Sequence, residues 1–152
     1  MRIFIGADHR GFELKEKVID YLHEKNIRIE DLGNYEYDVN DDYPDFAKKV
    51  VEAVLQAPEE RLGIVICGSG VGTSIVANRY QKIRCGLALN KEQVAHARKN
   101  DHINILSLPA DYIDFNSAAE LINTFIETPP AAEEKYIRRI KKADQVDLHS
   151  HA

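Results

Sequence analysis

Along the 152 residues, short apolar runs alternate with longer stretches in which apolar residues recur every three or four positions. The runs RIFIG (2–6), IRIEDLG (27–33), LGIVICG (62–68), RCGLAL (84–89) and INILSL (103–108) have the length and side-chain content of strands. The first and third are almost continuously apolar, as strands buried on both faces are. Between the runs the spacing turns helical. Phe12, Val18, Ile19 and Leu22 form one stripe, and Phe46, Val50, Val51, Val54 and Leu55 form a second. Residues 71–80 predict a helix that starts directly after a glycine loop. Val94 and Ala97 mark a short helix, and Ala118, Leu121, Ile122, Phe125 and Ile126 a long one. PPAAEEKYIRRIKKADQ reads as a proline-started helix too polar for a core, and VDLHSHA as a frayed end.

Five repeats of this alternation predict an α/β fold. It is a three-layer α/β/α sandwich, Rossmann-like and doubly wound, with a five-stranded parallel sheet covered by helices on both faces. One domain is expected over residues 1–143, with residues 144–152 as a flexible tail, because no repeat or linker divides the chain.

Composition narrows the function classes. A net charge of −5 argues against a nucleic-acid partner, since such proteins carry a basic face; the cluster RRIKK (138–142) is too short to reverse this. No apolar run approaches the roughly 20 residues that cross a bilayer, so no membrane partner is expected. MRIFIGAD meets an acid too soon for a signal peptide, and Cys67 and Cys85 are no disulfide framework. These features lead to a cytoplasmic expectation.

In doubly wound sheets, ligands bind beyond the carboxyl ends of the strands. The first strand ends in GADHRGF, placing Asp8 and His9 at its tip. One reading is a helix-capping Asp with a solvated His; the other is an acid/base or anion-binding pair. The third strand ends in CGSGVGTS (67–74). Gly68, Gly70 and Gly72 allow close backbone approach, and successive N–H groups in such a loop cradle an anion. The same surroundings favour a thiolate at Cys67; the plainer alternative is a tight turn with a small packed Cys. A P-loop lysine is absent from the loop, and Thr73 stands where a dinucleotide fingerprint has its third glycine. Nucleotide binding of a flavodoxin-like kind is therefore disfavoured. His96, Asn100, Asp101 and His102 cluster before the fifth strand without zinc-type spacing, so no metal is expected. Pro44 suits a first helical turn, and Tyr43 beside it is a candidate to face the cleft. Cys85 reads as a packed side chain. Lys135, Arg138 and Arg139 are either a phosphate clamp or a solvated helix face.

Taken together, GADHRGF, DYPDFAKKV, GIVICGSGVGTSIVANR and NILSL closely resemble the type B ribose-5-phosphate isomerases. That family also includes allose-6-phosphate and galactose-6-phosphate isomerases. The likeness runs from residue 2 to about residue 142. It implies an α/β/α sandwich, a homodimer or dimer of dimers with active sites shared between subunits, a sugar-phosphate ligand and no cofactor. It also implies an aldose–ketose isomerisation through a cis-enediolate, with ribose 5-phosphate or a related pentose or hexose phosphate as substrate. Cys67 is then the base that moves the C2 proton. The backbone of Gly68, Gly70, Val71 and Gly72, with the Ser69 hydroxyl, holds the enediolate. Asp8 and Tyr43 bind sugar, and His9 lies toward the phosphate. The family's ring-opening His position is Asn100 here, with Asp101 next to it and His102 two residues downstream as a substitute. An arginine that usually follows the fifth strand is Asp111, an acid expected to repel a phosphate. Of the family's C-terminal basic motif, Arg139 is kept and Lys135 retains charge without the guanidinium fork. The alternative is a non-catalytic sugar-phosphate binder or one subunit of a hetero-oligomeric isomerase.

Overall fold

The computed structural model describes residues 1–146. Its elements run β1 (Arg2–Ala7), α1 (Phe12–Glu24), β2 (Ile29–Asp31), α2 (Tyr43–Leu55), β3 (Arg61–Cys67), α3 (Val71–Ala77), β4 (Cys85–Leu87), α4 (Lys91–Asn100), β5 (Ile105–Pro109), α5 (Phe115–Glu127) and α6 (Glu134–Asp144). The five strands form one sheet in the order β2-β1-β3-β5-β4, all parallel. This is the expected α/β sandwich. β3 pairs with β1 and β5, so Cys67 leaves the sheet at its centre, level with Pro109.

The pleat sorts the core into two layers, because successive strand residues point to opposite faces. Ile3, Ile5, Ile64, Ile66, Leu106 and Leu108 meet Leu14, Val18 and Leu22 of α1 and Leu121, Ile122 and Phe125 of α5. Phe4, Val65 and Ile105 meet Ala47, Val50, Val51 and Val54 of α2 and Ala77 of α3. Cys67 and Ser107 share the parity of Val65 and Ile105, which turns both toward α3.

Several boundaries move from those the sequence predicts. β2 and β4 keep only three residues each, since an edge strand pairs on one side and ends where its neighbour departs. α3 stops at Ala77, three residues before the predicted end. The two prolines do not start the last helix. Pro129 and Pro130 lie in non-helical chain, and α6 begins at Glu134. Nor does the tail begin at 144: Asp144 closes α6 and its carboxylate accepts from Arg84 Nη1 at 3.2 and 3.0 Å. The remainder of that expected tail, residues 147–152, lies outside the described residues. Lys15, passed over in the α1 stripe, is fully buried. Its ammonium donates to Asp31 at 2.8 Å and Glu16 at 2.7 Å, as a buried charge requires, and so ties α1 to the end of β2.

Gly63 is where α2 presses closest to the sheet. A Cβ there would lie 2.6 Å from Val50 Cγ1 and 3.0 Å from Ile105 Cγ1. Gly63→Ala is expected to cost about 1–3 kcal/mol through overpacking, read as a drop of several degrees in the thermal unfolding midpoint.

Candidate active site

The site grows from the carboxyl ends of β1, β3 and β5. At β1, Asp8 is buried and its Oδ1 accepts from the N–H groups of Arg10 at 3.0 Å and Gly11 at 3.1 Å. The capping role therefore exists, one turn ahead of α1. Burial pushes the Asp8 carboxyl above its ordinary value; the Gly11 amide, His9 and the Arg10 amide oppose this, and Asp41 adds to it.

His9 is fixed by a residue the sequence did not single out. Asp41 Oδ1 accepts from the His9 backbone N–H and faces His9 Nδ1, each at 2.8 Å. A carboxylate only accepts, so the facing ring nitrogen carries the hydrogen and Nε2 is left for a ligand. Asn34 Nδ2 donates to Asp41 Oδ2 at 2.9 Å, and Tyr37 stands edge-on to the His9 ring. Asp8, His9 and Asp41 have ligand-type atoms within 4.8 Å of one another, the one such group among the described residues. Their hydrogen bonds to amides, to each other and to Asn34 account for this closeness.

At β3, the loop turns at Gly70, whose φ is 71°. A Cβ on Gly70 would lie 2.6 Å from Leu87 Cδ1 and 3.1 Å from the Leu108 carbonyl carbon. Glycine is thus needed twice, for the left-handed backbone and for the close approach to β5. Val71 N–H donates to Ser69 Oγ at 3.2 Å, which removes one amide from the expected cradle. The N–H groups of Ser69, Gly70 and Gly72 have no acceptor among the described residues. Cys67 is buried, with Sγ 3.4 Å from Thr73 Oγ1.

Neighbouring side chains close around this loop. The Tyr43 ring packs on Gly72, where a Cβ would lie 2.7 Å from Cζ, so Tyr43 does reach the loop. Arg10 and Asp111 form an ion pair beside Gly68, whose Cβ would lie 2.6 Å from Asp111 Oδ2 and 2.8 Å from Arg10 Nε. The expected repulsion from Asp111 is therefore offset by the Arg10 guanidinium. The second thiol plays no part: burial pushes Cys85 up to about 12, against a hydrogen bond from Ser74.

The remaining candidates lie elsewhere. β5 spans five residues, about 13 Å at 3.3 Å per residue, and Cys67 is level with its last residue. Asn100, Asp101 and His102 precede its first. His102 adopts a φ of 49° and its Nε2 bonds the Ala131 carbonyl at 2.8 Å. Asn100 Nδ2 meets the His96 ring at 3.2 Å. Asp101 and Arg139 line a cavity of about 460 Å³ between β4, α4 and α6, and Lys135 lies on the exposed α6 near Glu133. One chain thus unites Asp8, His9, Tyr43, Cys67, Ser69 and the glycines, and places Asn100, Asp101 and His102 before the opposite end of β5.

The sequence model of one protein family, described as Ribose/Galactose Isomerase, matches residues 3–143. The chain belongs to that family. It is similar to a ribose-5-phosphate isomerase B of Mycolicibacterium paratuberculosis, 34% identical over 140 residues that cover 92% of this chain and 87% of the relative. A crystal structure of a ribose 5-phosphate isomerase from Thermotoga maritima matches with a TM-score of 0.89 at 45% identity, covering 95% of this chain and 98% of the other. The ribose-5-phosphate isomerase B of Mycoplasma genitalium, solved with bound ribulose 5-phosphate, matches with a TM-score of 0.88 at 34% identity over 93% and 92% of the two chains.

The residues that family resemblance did not supply are Arg10, Asn34, Asp41, Thr73 and Ser107. Arg10, Thr73 and Ser107 lie within the quoted motifs, whereas Asn34 and Asp41 carry no local signal, because their partners are distant in sequence. The Asp8 capping role has its own test. As pH rises from the ordinary carboxylate value to the raised folded one, the native state holds a proton the unfolded chain has lost, so stability falls across that window. Asp8→Asn keeps an Oδ1 acceptor and does not titrate. Its unfolding midpoint is expected to gain on the wild type across that window and to hold a constant offset above it, measured by thermal melts from pH 3 upward.

Proposed function

We propose that this chain interconverts ribose 5-phosphate and ribulose 5-phosphate, or a closely related pair of pentose or hexose phosphates, through a cis-enediolate. Aldose–ketose isomerisation of a phosphosugar follows from the family to which it belongs. The bound ribulose 5-phosphate of the Mycoplasma genitalium relative supports the pentose phosphate as first substrate. The observation that carries the residue roles is the meeting of a Cys67 thiol with unpaired loop amides and Asp8 at the sheet's carboxyl edge.

In this reading Cys67 removes the C2 proton of the open-chain aldose and returns it at C1. The charge that develops on oxygen falls to the N–H groups of Ser69, Gly70 and Gly72, and preorganised donors of this kind are each worth about 3–4 kcal/mol when removed. Asp8 and Tyr43 hold sugar hydroxyls. His9, with Nδ1–H committed to Asp41, presents Nε2 toward the phosphate. His102, Asn100, Asp101, Lys135 and Arg139 complete the site from a second subunit, because their own Cys67 is at the far end of β5. The exposed apolar side chains Val71, Ile75 and Leu89 beside the loop support such an interface between two copies.

Cys67→Ala is expected to lower kcat by about 10²–10⁴-fold and to abolish deuterium exchange at C2, while sugar-phosphate binding persists. Unchanged turnover in this variant rules out the thiol base. Mixing inactive Cys67→Ala with inactive Arg139→Ala is expected to restore about a quarter of the wild-type rate, because half of randomly formed symmetric dimers are mixed and each has one intact site. No recovery in subunits shown to have exchanged rules out the shared site.

A further inference from the structure

We propose that Thr73 and Ser107 form a hydroxyl relay that hands a hydrogen bond to Cys67 when its thiol gives up its proton, making the two hydroxyls positioning residues for the base. The proposal rests on the reading of Cys67 as the base and goes beyond it, because it gives a role to two buried hydroxyls which that reading leaves out.

The geometry is closed and dry. Cys67, Thr73 and Ser107 are 3%, 1% and 0% exposed. Thr73 Oγ1 lies 3.4 Å from Cys67 Sγ, 3.0 Å from Ser107 Oγ and 3.2 Å from the Gly70 carbonyl. Ser107 Oγ donates to the same carbonyl at 2.6 Å, and Ser74 N–H reaches it at 3.2 Å. A carbonyl oxygen has two lone pairs, so Ser107 and Ser74 satisfy Gly70 without Thr73. The Thr73 hydroxyl hydrogen is therefore the one in the cluster that is free to turn.

A proton count fixes the direction. While Cys67 is a thiol, its S–H donates to Thr73 Oγ1, and the Thr73 hydrogen points to Gly70 or Ser107. When the S–H bond breaks and the proton leaves for solvent, the thiolate becomes an acceptor. Rotation about the Thr73 Cβ–Oγ1 bond then brings its hydrogen onto Sγ, while Ser107 stays on Gly70. Nothing is oxidised or reduced, and the proton count is conserved. The charged groups facing this end of β3 are Asp8 from β1, Arg10 ahead of α1 and Asp111 after β5; Tyr43 from α2 covers Gly72. Asp8, Arg10, Asp111 and Tyr43 are unaltered in the variants below.

Removing a hydrogen bond to the charged form disfavours it, so loss of the donor is expected to move the acid limb of the kcat/KM profile up by about one pH unit or more. The experiment compares Thr73→Val, Thr73→Ser, Ser107→Ala and the Thr73→Val/Ser107→Ala double variant. Thr73→Val is expected to show the shift and Thr73→Ser to retain the wild-type profile. Ser107→Ala is expected to shift it too, because Gly70 then claims the Thr73 hydrogen, and the double variant is expected to add nothing. Thiolate absorbance near 240 nm follows Cys67 without any substrate, and burial, which pushes Cys85 up to about 12, keeps the second thiol protonated across the neutral range. Loss of isomerase activity in the wild type would count against the base reading alone, and the absorbance titration would still decide the relay. An unshifted Thr73→Val, an unshifted Ser107→Ala, or additive shifts in the double variant would overturn it.

Discussion

The site depends on how closely Gly70 approaches the backbone at the end of β5. A left-handed residue without a Cβ lets the loop after β3 fold back under Pro109, and its carbonyl is then caught by Ser107 and Ser74. With that carbonyl fixed, α3 begins at a set position and angle. The N–H groups of the loop point outward, and Thr73 is carried to within reach of Cys67. Any larger side chain at Gly70 would strike Leu87 and β5 together and displace amides, hydroxyl and thiol as one unit.

Around this constraint, side chains from three separate loops are held by one another rather than by a ligand. Asp41 holds His9, Asn34 holds Asp41, and Lys15 anchors Asp31 at the start of the same loop. Arg10 and Asp111 bridge the ends of β1 and β5 across Gly68. Such mutual fixing keeps reacting groups in position before substrate arrives, which is where much of an enzyme's rate enhancement originates. The Arg10–Asp111 pair also changes what the acid presents beside the loop, since the charge there is that of the pair.

The placement of Asn100, Asp101 and His102 before the amino end of β5 follows from the direction of the strands. In a parallel sheet every crossover helix runs back from the carboxyl edge, so the end of α4 is delivered to the opposite edge from Cys67. His102, just after α4, therefore starts from the opposite end of β5 from Cys67.

Much of this was legible in the chain itself. Apolar runs of strand length separated by helical stripes require a parallel sheet between two helical layers, because that arrangement alone buries β1 and β3 on both faces. The glycines, Cys67 and the Asp8-His9 pair marked the strand ends that the fold brings together, since close approach and a terminal thiol need particular residue types in a short span. What only the tertiary structure decided was which distant residues complete those groups. Asp41 reaches His9 across 32 positions, and Ser107 reaches Thr73 across 34. Nothing in the sequence pairs these partners, even where each lies in a quoted motif, because a hydrogen bond between distant segments depends on register and topology. The expected tail boundary at 144 moves for a related reason: Asp144 is held by Arg84, 60 residues away, and local polarity carries no trace of that grip.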